Sequence, residues 1–108
     1  MPNYVPGVGS FSAKLLICGE APGQKEDEQG IPFVGPTGEL LSEALQQAGT
    51  SRGECFITNV VKYRPPLNDF SKLHLIDVDL TKSIADLWDK EINKIKPNCI
   101  LAIGDNAL

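Results

Sequence analysis

The 108 residues predict an α/β domain, a three-layer α/β/α arrangement with a central parallel sheet. Three compact runs rich in apolar residues, at 14–18, 54–62 and 99–103, have the length and continuity of strands buried on both faces. Two stretches of helical periodicity separate them, and parallel strands need such crossovers. The length suits one core rather than two, so the expectation is a single domain over residues 1–108.

Residues 1–12 hold two prolines and two glycines without apolar periodicity and read as an extended lead-in. The first strand follows at 14–18 and breaks at Gly19-Glu20-Ala21-Pro22-Gly23, where glycine permits unusual dihedrals and proline fixes one. The loop to Pro36 carries the run Glu26-Asp27-Glu28, most simply an exposed acidic stretch, and then Phe33. Leu40, Leu41, Ala44, Leu45 and Ala48 recur at helical spacing, with Thr37 as cap and Gly49 as stop. Residues 54–62, rich in β-branched and aromatic side chains, form the second strand, which ends before Pro65-Pro66.

Residues 67–79 are irregular, with a piece at 73–78 that suits either a short strand or a packed loop. A second helix over 80–96 presents Leu80, Ile84, Leu87, Trp88, Ile92 and Ile95 as one apolar stripe, which places Trp88 in the core. Pro97 ends it, 99–103 is a third buried strand, and Gly104-Asp105-Asn106 reads as a strand-to-helix turn. A third strand with no helix after it leaves a sheet face bare, so the chain is expected to be a partial domain, truncated at its carboxyl end.

Charge and cysteine usage narrow the function classes. Fourteen acidic against ten basic residues give a net charge of −4, which argues against tight non-specific nucleic-acid binding through phosphate neutralisation. A small local patch remains open, and Lys62, Arg64 and Lys72 are its candidates, although scattered solvated charges are the favoured reading of any one of them. Cys18, Cys55 and Cys99 are widely spaced in apolar runs, so buried strand thiols are expected rather than disulfides or a metal site. No membrane-length apolar run or signal pattern occurs, which gives a cytoplasmic, membrane-free expectation. His74, the only histidine, falls in the irregular loop and is given no role.

Ligands of open parallel sheets bind beyond the carboxyl ends of the strands. The loop after the first strand, with its carboxylates, proline bend and planar ring, is therefore the candidate site. The glycines there follow neither G-x-G-x-x-G nor the G-x-x-x-x-G-K-[ST] loop, which speaks against a nucleotide-phosphate site.

Three segments, GEAPGQKEDEQGIPFVGPTGELL (19–41), ITNVVKYRPP (57–66) and IKPNCILAIGDNAL (95–108), together resemble the uracil-DNA glycosylase superfamily. The similarity is to its thermostable (family 4) type and to the related domain found with some phage DNA polymerases. The resemblance implies a uracil-DNA glycosylase-like fold and hydrolysis of the N-glycosidic bond of uracil in DNA, leaving free uracil and an abasic site. The alternative is a catalytically weak, glycosylase-like module that binds DNA or a replication partner.

The resemblance also implies roles. Gly19, Glu20 and Ala21 would line the uracil pocket, with Glu20 the catalytic carboxylate beside the attacking water. Phe33 would stack on the flipped base, Asn59 would read its edge, and Glu26 would sit where thymine's 5-methyl must be refused. Each has a plainer reading: a solvated carboxylate for Glu20, core filling for Phe33, a structural amide for Asn59. The implied partners are uracil-containing DNA and replication or repair proteins.

Two features depart from the family. Its members commonly hold an iron–sulfur cluster on four cysteines, one of them after the RPPxN segment. Here that segment is followed by DFSKLHLIDVDL, without cysteine, so no metal or cluster is expected. The family's histidine-containing loop, which holds uracil O2, would lie beyond the third strand, outside these 108 residues.

Overall fold

The computed structural model describes residues 2–104. Three strands, β1 (Leu15–Gly19), β2 (Cys55–Asn59) and β3 (Cys99–Ala102), form one parallel sheet in the order β2-β1-β3. The register places Leu15 beside Cys55 and Gly19 beside Asn59, and on the other side Leu15 beside Cys99. The most apolar run thus occupies the centre of the sheet, where both of its faces are covered.

Alternate residues of a strand face opposite sides. Ile17, Cys55 and Ile57 pack with Phe33 and with Leu41 and Leu45 of the helix α2 (Pro36–Gln47). Leu16, Cys18 and Phe56 pack on the other face with Leu87, Ile92 and Ile95. Helices on both faces of a parallel sheet make the three-layer architecture that the element order predicts.

Several details differ from the sequence expectation. A short helix α1 (Gln24–Gln29) stands inside the loop after β1, where no element was expected, and it ends at left-handed Gly30 (φ 72°). Helix α2 starts at Pro36, with Gly35 rather than Thr37 in the capping position, because proline is pre-organised for the first helical turn. β2 stops at Asn59, short of the expected Lys62; the N–H groups of Val60 and Val61 instead donate to the Gly19 and Glu20 carbonyls, both at 3.0 Å. The piece at 73–78 is neither strand nor plain loop, since a 3₁₀ helix covers Phe70–Ile76.

The second long helix is not uniform. It runs as α3 (Leu80–Asp86), widens into a π-helical turn (Leu87–Ile92) in which the Asn93 N–H donates to the Trp88 carbonyl, and closes as α4 (Asn93–Ile95). The extra residue in that turn rotates the expected stripe. Leu87, Glu91, Ile92 and Ile95 are buried, whereas Leu80, Ile84 and Trp88 of the expected stripe are exposed, and Trp88, at 49%, does not fill the core.

β3 also departs from expectation. Its residues pair with β1 on one side, and Cys99, Ile100 and Leu101 are exposed rather than buried. Neither apolar cluster includes any residue of Cys99–Ala102. Of the expected turn after it, Gly104 is described, whereas Asp105 and Asn106 lie outside the described residues.

The lead-in is extended, as expected, and it is also anchored. Val8 makes an antiparallel bridge with Ile57, the Val5 N–H donates to the Lys62 carbonyl at 2.7 Å, and Asn3 bonds Asp27 of α1. Among the described residues no helix is long and apolar enough to cross a membrane.

Candidate functional site

The three parallel strands end together, and their exits enclose a hollow of about 460 Å³. β1 contributes Gly19, Glu20 and Ala21, β2 contributes Asn59, and the residues after β3 contribute Ile103 and Gly104. The loop and α1 complete the wall with Glu26 and Phe33. Every residue singled out in the sequence, Gly19, Glu20, Ala21, Glu26, Phe33 and Asn59, therefore borders one cavity. Its volume lies within the roughly 300–1,000 Å³ usual for small-molecule pockets.

Gly19 is the meeting point. A Cβ there would lie 2.5 Å from Asn59 Oδ1 and 2.5 Å from Phe33 Cζ, so glycine alone allows the amide and the ring to approach the strand end. Asn59 is 3% exposed, and no hydrogen bond ties its carboxamide to another described residue. A buried amide ordinarily finds partners; this one borders an open cavity instead, which disfavours the purely structural reading. Glu20 lies against Gly104, two residues beyond β3: a Cβ on Gly104 (φ 96°) would come within 2.3 Å of Glu20 Oε1.

Phe33 is nearly buried and holds a left-handed backbone (φ 56°), unfavourable for a bulky side chain. The Arg52 guanidinium secures that bend, donating from Nη2 to the Pro32 carbonyl at 2.8 Å and from Nη1 to the Phe33 carbonyl. Sequence reasoning missed Arg52, because nothing in residues 50–54 points to a loop far away in the chain.

Glu26 is not part of a solvated acidic run. Its Oε1 accepts from the Gly23 N–H at 3.0 Å, and its Oε2 accepts from the Val34 and Gly35 N–H groups at 2.9 and 2.8 Å. Burial pushes its carboxyl pKa up, but the backbone donors at Gly35, Val34 and Gly23 prevail and hold it below the ordinary value. The same side chain thereby caps α1, joins it to the start of α2 and fixes the cavity wall.

A second group escaped the sequence reading. Glu91 is 7% exposed and pairs with Lys62 at 2.7 Å, while the Thr58 hydroxyl donates to both Glu91 oxygens at 3.0 Å. Lys62 is therefore committed to a buried ion pair and is no candidate for a DNA-facing patch. The pair lines another hollow, of about 420 Å³, together with residues of the N-terminal segment and α3. Gly19, Phe33 and Asn59 do not line that hollow.

The cysteines do not assemble a cluster site. Cys18 and Cys55 belong to the apolar layers on opposite faces of the sheet, and Cys99, expected as a buried thiol, is exposed on β3. Among the described residues no group of three or more His, Cys, Asp or Glu could hold a metal ion. These residues do not fit an iron–sulfur cluster.

Comparison with known proteins adds an independent finding. Residues 6–108 match the model of the uracil DNA glycosylase superfamily. A type-4 uracil-DNA glycosylase of Pyrobaculum aerophilum is 46% identical over 102 residues, covering 94% of this chain and 50% of that protein. One of Archaeoglobus fulgidus is 41% identical, with 94% and 49% covered. A DNA polymerase of Bacillus phage SP01 is 31% identical over 108 residues, 99% of this chain and 11% of the polymerase. The chain thus spans about half the length of the type-4 relatives it matches.

Proposed function

The chain belongs to the uracil DNA glycosylase superfamily, and from that premise we propose that the cavity at the strand exits receives a flipped uracil, whose glycosidic bond is hydrolysed. The observation that carries this reading is the convergence on Gly19 of one ring and one carboxamide that opens on the cavity, Phe33 and Asn59. An enzyme acting on a base within DNA must extrude it and read it in a fitted pocket.

Phe33 offers a face on which any base stacks, so it supplies affinity without selection. Selection needs an amide. The Asn59 carboxamide donates to uracil O4 and accepts from N3–H, a pattern that cytosine inverts. Cleavage builds positive charge on the sugar and negative charge on the leaving base, so a preorganised donor at O4 is worth most in the transition state. Glu20, at the mouth of β1, orients the water and favours the developing sugar cation. Glu26 stiffens the wall opposite uracil C5, where a thymine methyl would have to fit.

The substrate in this reading is uracil-containing DNA, the setting is cytoplasmic base-excision repair, and residues 1–108 form part of one glycosylase domain that needs no iron–sulfur cluster on these cysteines. The similarity to a phage DNA polymerase supports a replication or repair partner. The test is cleavage of an oligonucleotide carrying one deoxyuridine, by this chain and by the complete protein, with alkali revealing abasic sites. The complete protein is expected to cut at uracil and to spare thymine and cytosine. Specific binding without cleavage would instead favour the binding-module reading, and neither binding nor cleavage would refute both.

A further inference from the structure

We infer that the buried Lys62–Glu91 pair positions the Asn59 carboxamide, and so acts on base reading from the far face of the sheet. The inference rests on the cavity being a uracil site.

Asn59 is the last residue of β2, and beyond it the chain leaves the strand for a turn. Lys62 Nζ donates to the Asn59 carbonyl three residues back, which fixes the peptide plane from which the carboxamide projects. A lysine on a flexible four-carbon stem would hold a carbonyl loosely by itself. Here all three ammonium donors are engaged, the other two reaching Glu91 Oε1 at 2.7 Å and Thr58 Oγ1 at 2.9 Å.

Glu91 is held in turn. It sits in the π-helical turn between the buried Leu87 and Ile92, and both of its oxygens accept from the Thr58 hydroxyl. Thr58 and Asn59 are successive strand residues, so their side chains point to opposite faces. The network thus joins the helical layer on one face to the base-reading amide on the other. An ångström's misplacement of a positioned group can cost about a hundredfold in rate.

Removing one partner would leave a buried charge unpaired, so the informative variant removes the network together: Thr58→Val, Lys62→Met and Glu91→Leu, near-isosteric apolar replacements of a kind often tolerated. In the complete protein this triple variant should melt within about 5 °C of the parent. Its kcat for uracil excision should fall about tenfold or more, and the fall should vanish in an Asn59→Ala background. A crystal structure should show the Asn59 carboxamide displaced or in more than one rotamer.

Parental excision rates, an equal loss in the Asn59→Ala background, or an unmoved carboxamide would overturn the inference. If the triple variant does not fold, Glu91→Gln replaces it, with the same Asn59-dependent loss expected and the same outcomes overturning the idea. If the parent itself excises no uracil, the functional reading falls, and the crystallographic comparison alone still decides whether the pair positions Asn59.

Discussion

Gly19 has no room for a methyl group, since its Cβ would stand 2.5 Å from both the Asn59 amide oxygen and the Phe33 ring. Gly19→Ala should therefore push ring or amide out of place and lower uracil excision about a hundredfold with the fold kept, as circular dichroism and steady-state kinetics would show. Asn59→Asp tests the reader directly. A carboxylate cannot donate to O4, so uracil excision should fall about 100-fold or more and the preference for uracil over cytosine should shrink in a competitive oligonucleotide assay. Unchanged discrimination would remove Asn59 from that role. The residues of this site were legible because they sit in distinctive strings, GEAPG, PFVG and TNVVK. Arg52 and Glu91 were not, because a guanidinium reaching carbonyls 19 and 20 residues away, and a carboxylate meeting a lysine 29 residues away, leave no local pattern.

At the scale of elements, α1 and α2 hang on a single carboxylate. Glu26→Ala should remove three charge-assisted bonds and cost about 1–3 kcal/mol of stability, measured by denaturant unfolding. The pH dependence has a definite sign. The folded pKa of Glu26 lies below its unfolded value, so its contribution is complete above about pH 4.3 and is lost as pH falls through the folded pKa. The gap between parent and variant should therefore narrow in acid. Periodicity revealed α2 and the central strand, where apolar spacing is regular, but not α1, whose QKEDEQ has no apolar residue to set a phase. It also misplaced Trp88, because a stripe drawn at 3.6 residues per turn assumes a helix without the π turn at Leu87–Ile92.

For the molecule as a whole, the two faces of the sheet have different tasks: one layer packs Phe33 and α2 beside the cavity, and the other carries the ion pair beneath Asn59. Thiol chemistry reports this layering. Cys18 is pushed up to about 11 by burial, which outweighs the opposing pull of Lys62, with the Glu91 charge adding a smaller push, and burial likewise raises Cys55. In this chain Cys99 should react with a neutral-pH thiol reagent within minutes, and Cys18 and Cys55 only on unfolding. Rapid modification of Cys18 would mean that the layer around the ion pair is open. The fold class was legible from element order alone, and a bare sheet face at β3 was expected, but the exposure of consecutive residues there was not, because an apolar run does not reveal whether a layer covers it.

The most direct measurement is a titration of the complete protein with free uracil, and separately with cytosine, followed by the side-chain amide resonances of Asn59. Uracil should shift the Asn59 amide and the neighbouring Gly19 and Phe33 signals saturably, while cytosine leaves them in place. Shifts confined to the hollow beside the Lys62–Glu91 pair, or equal responses to both bases, would contradict a uracil-reading cavity at the strand exits.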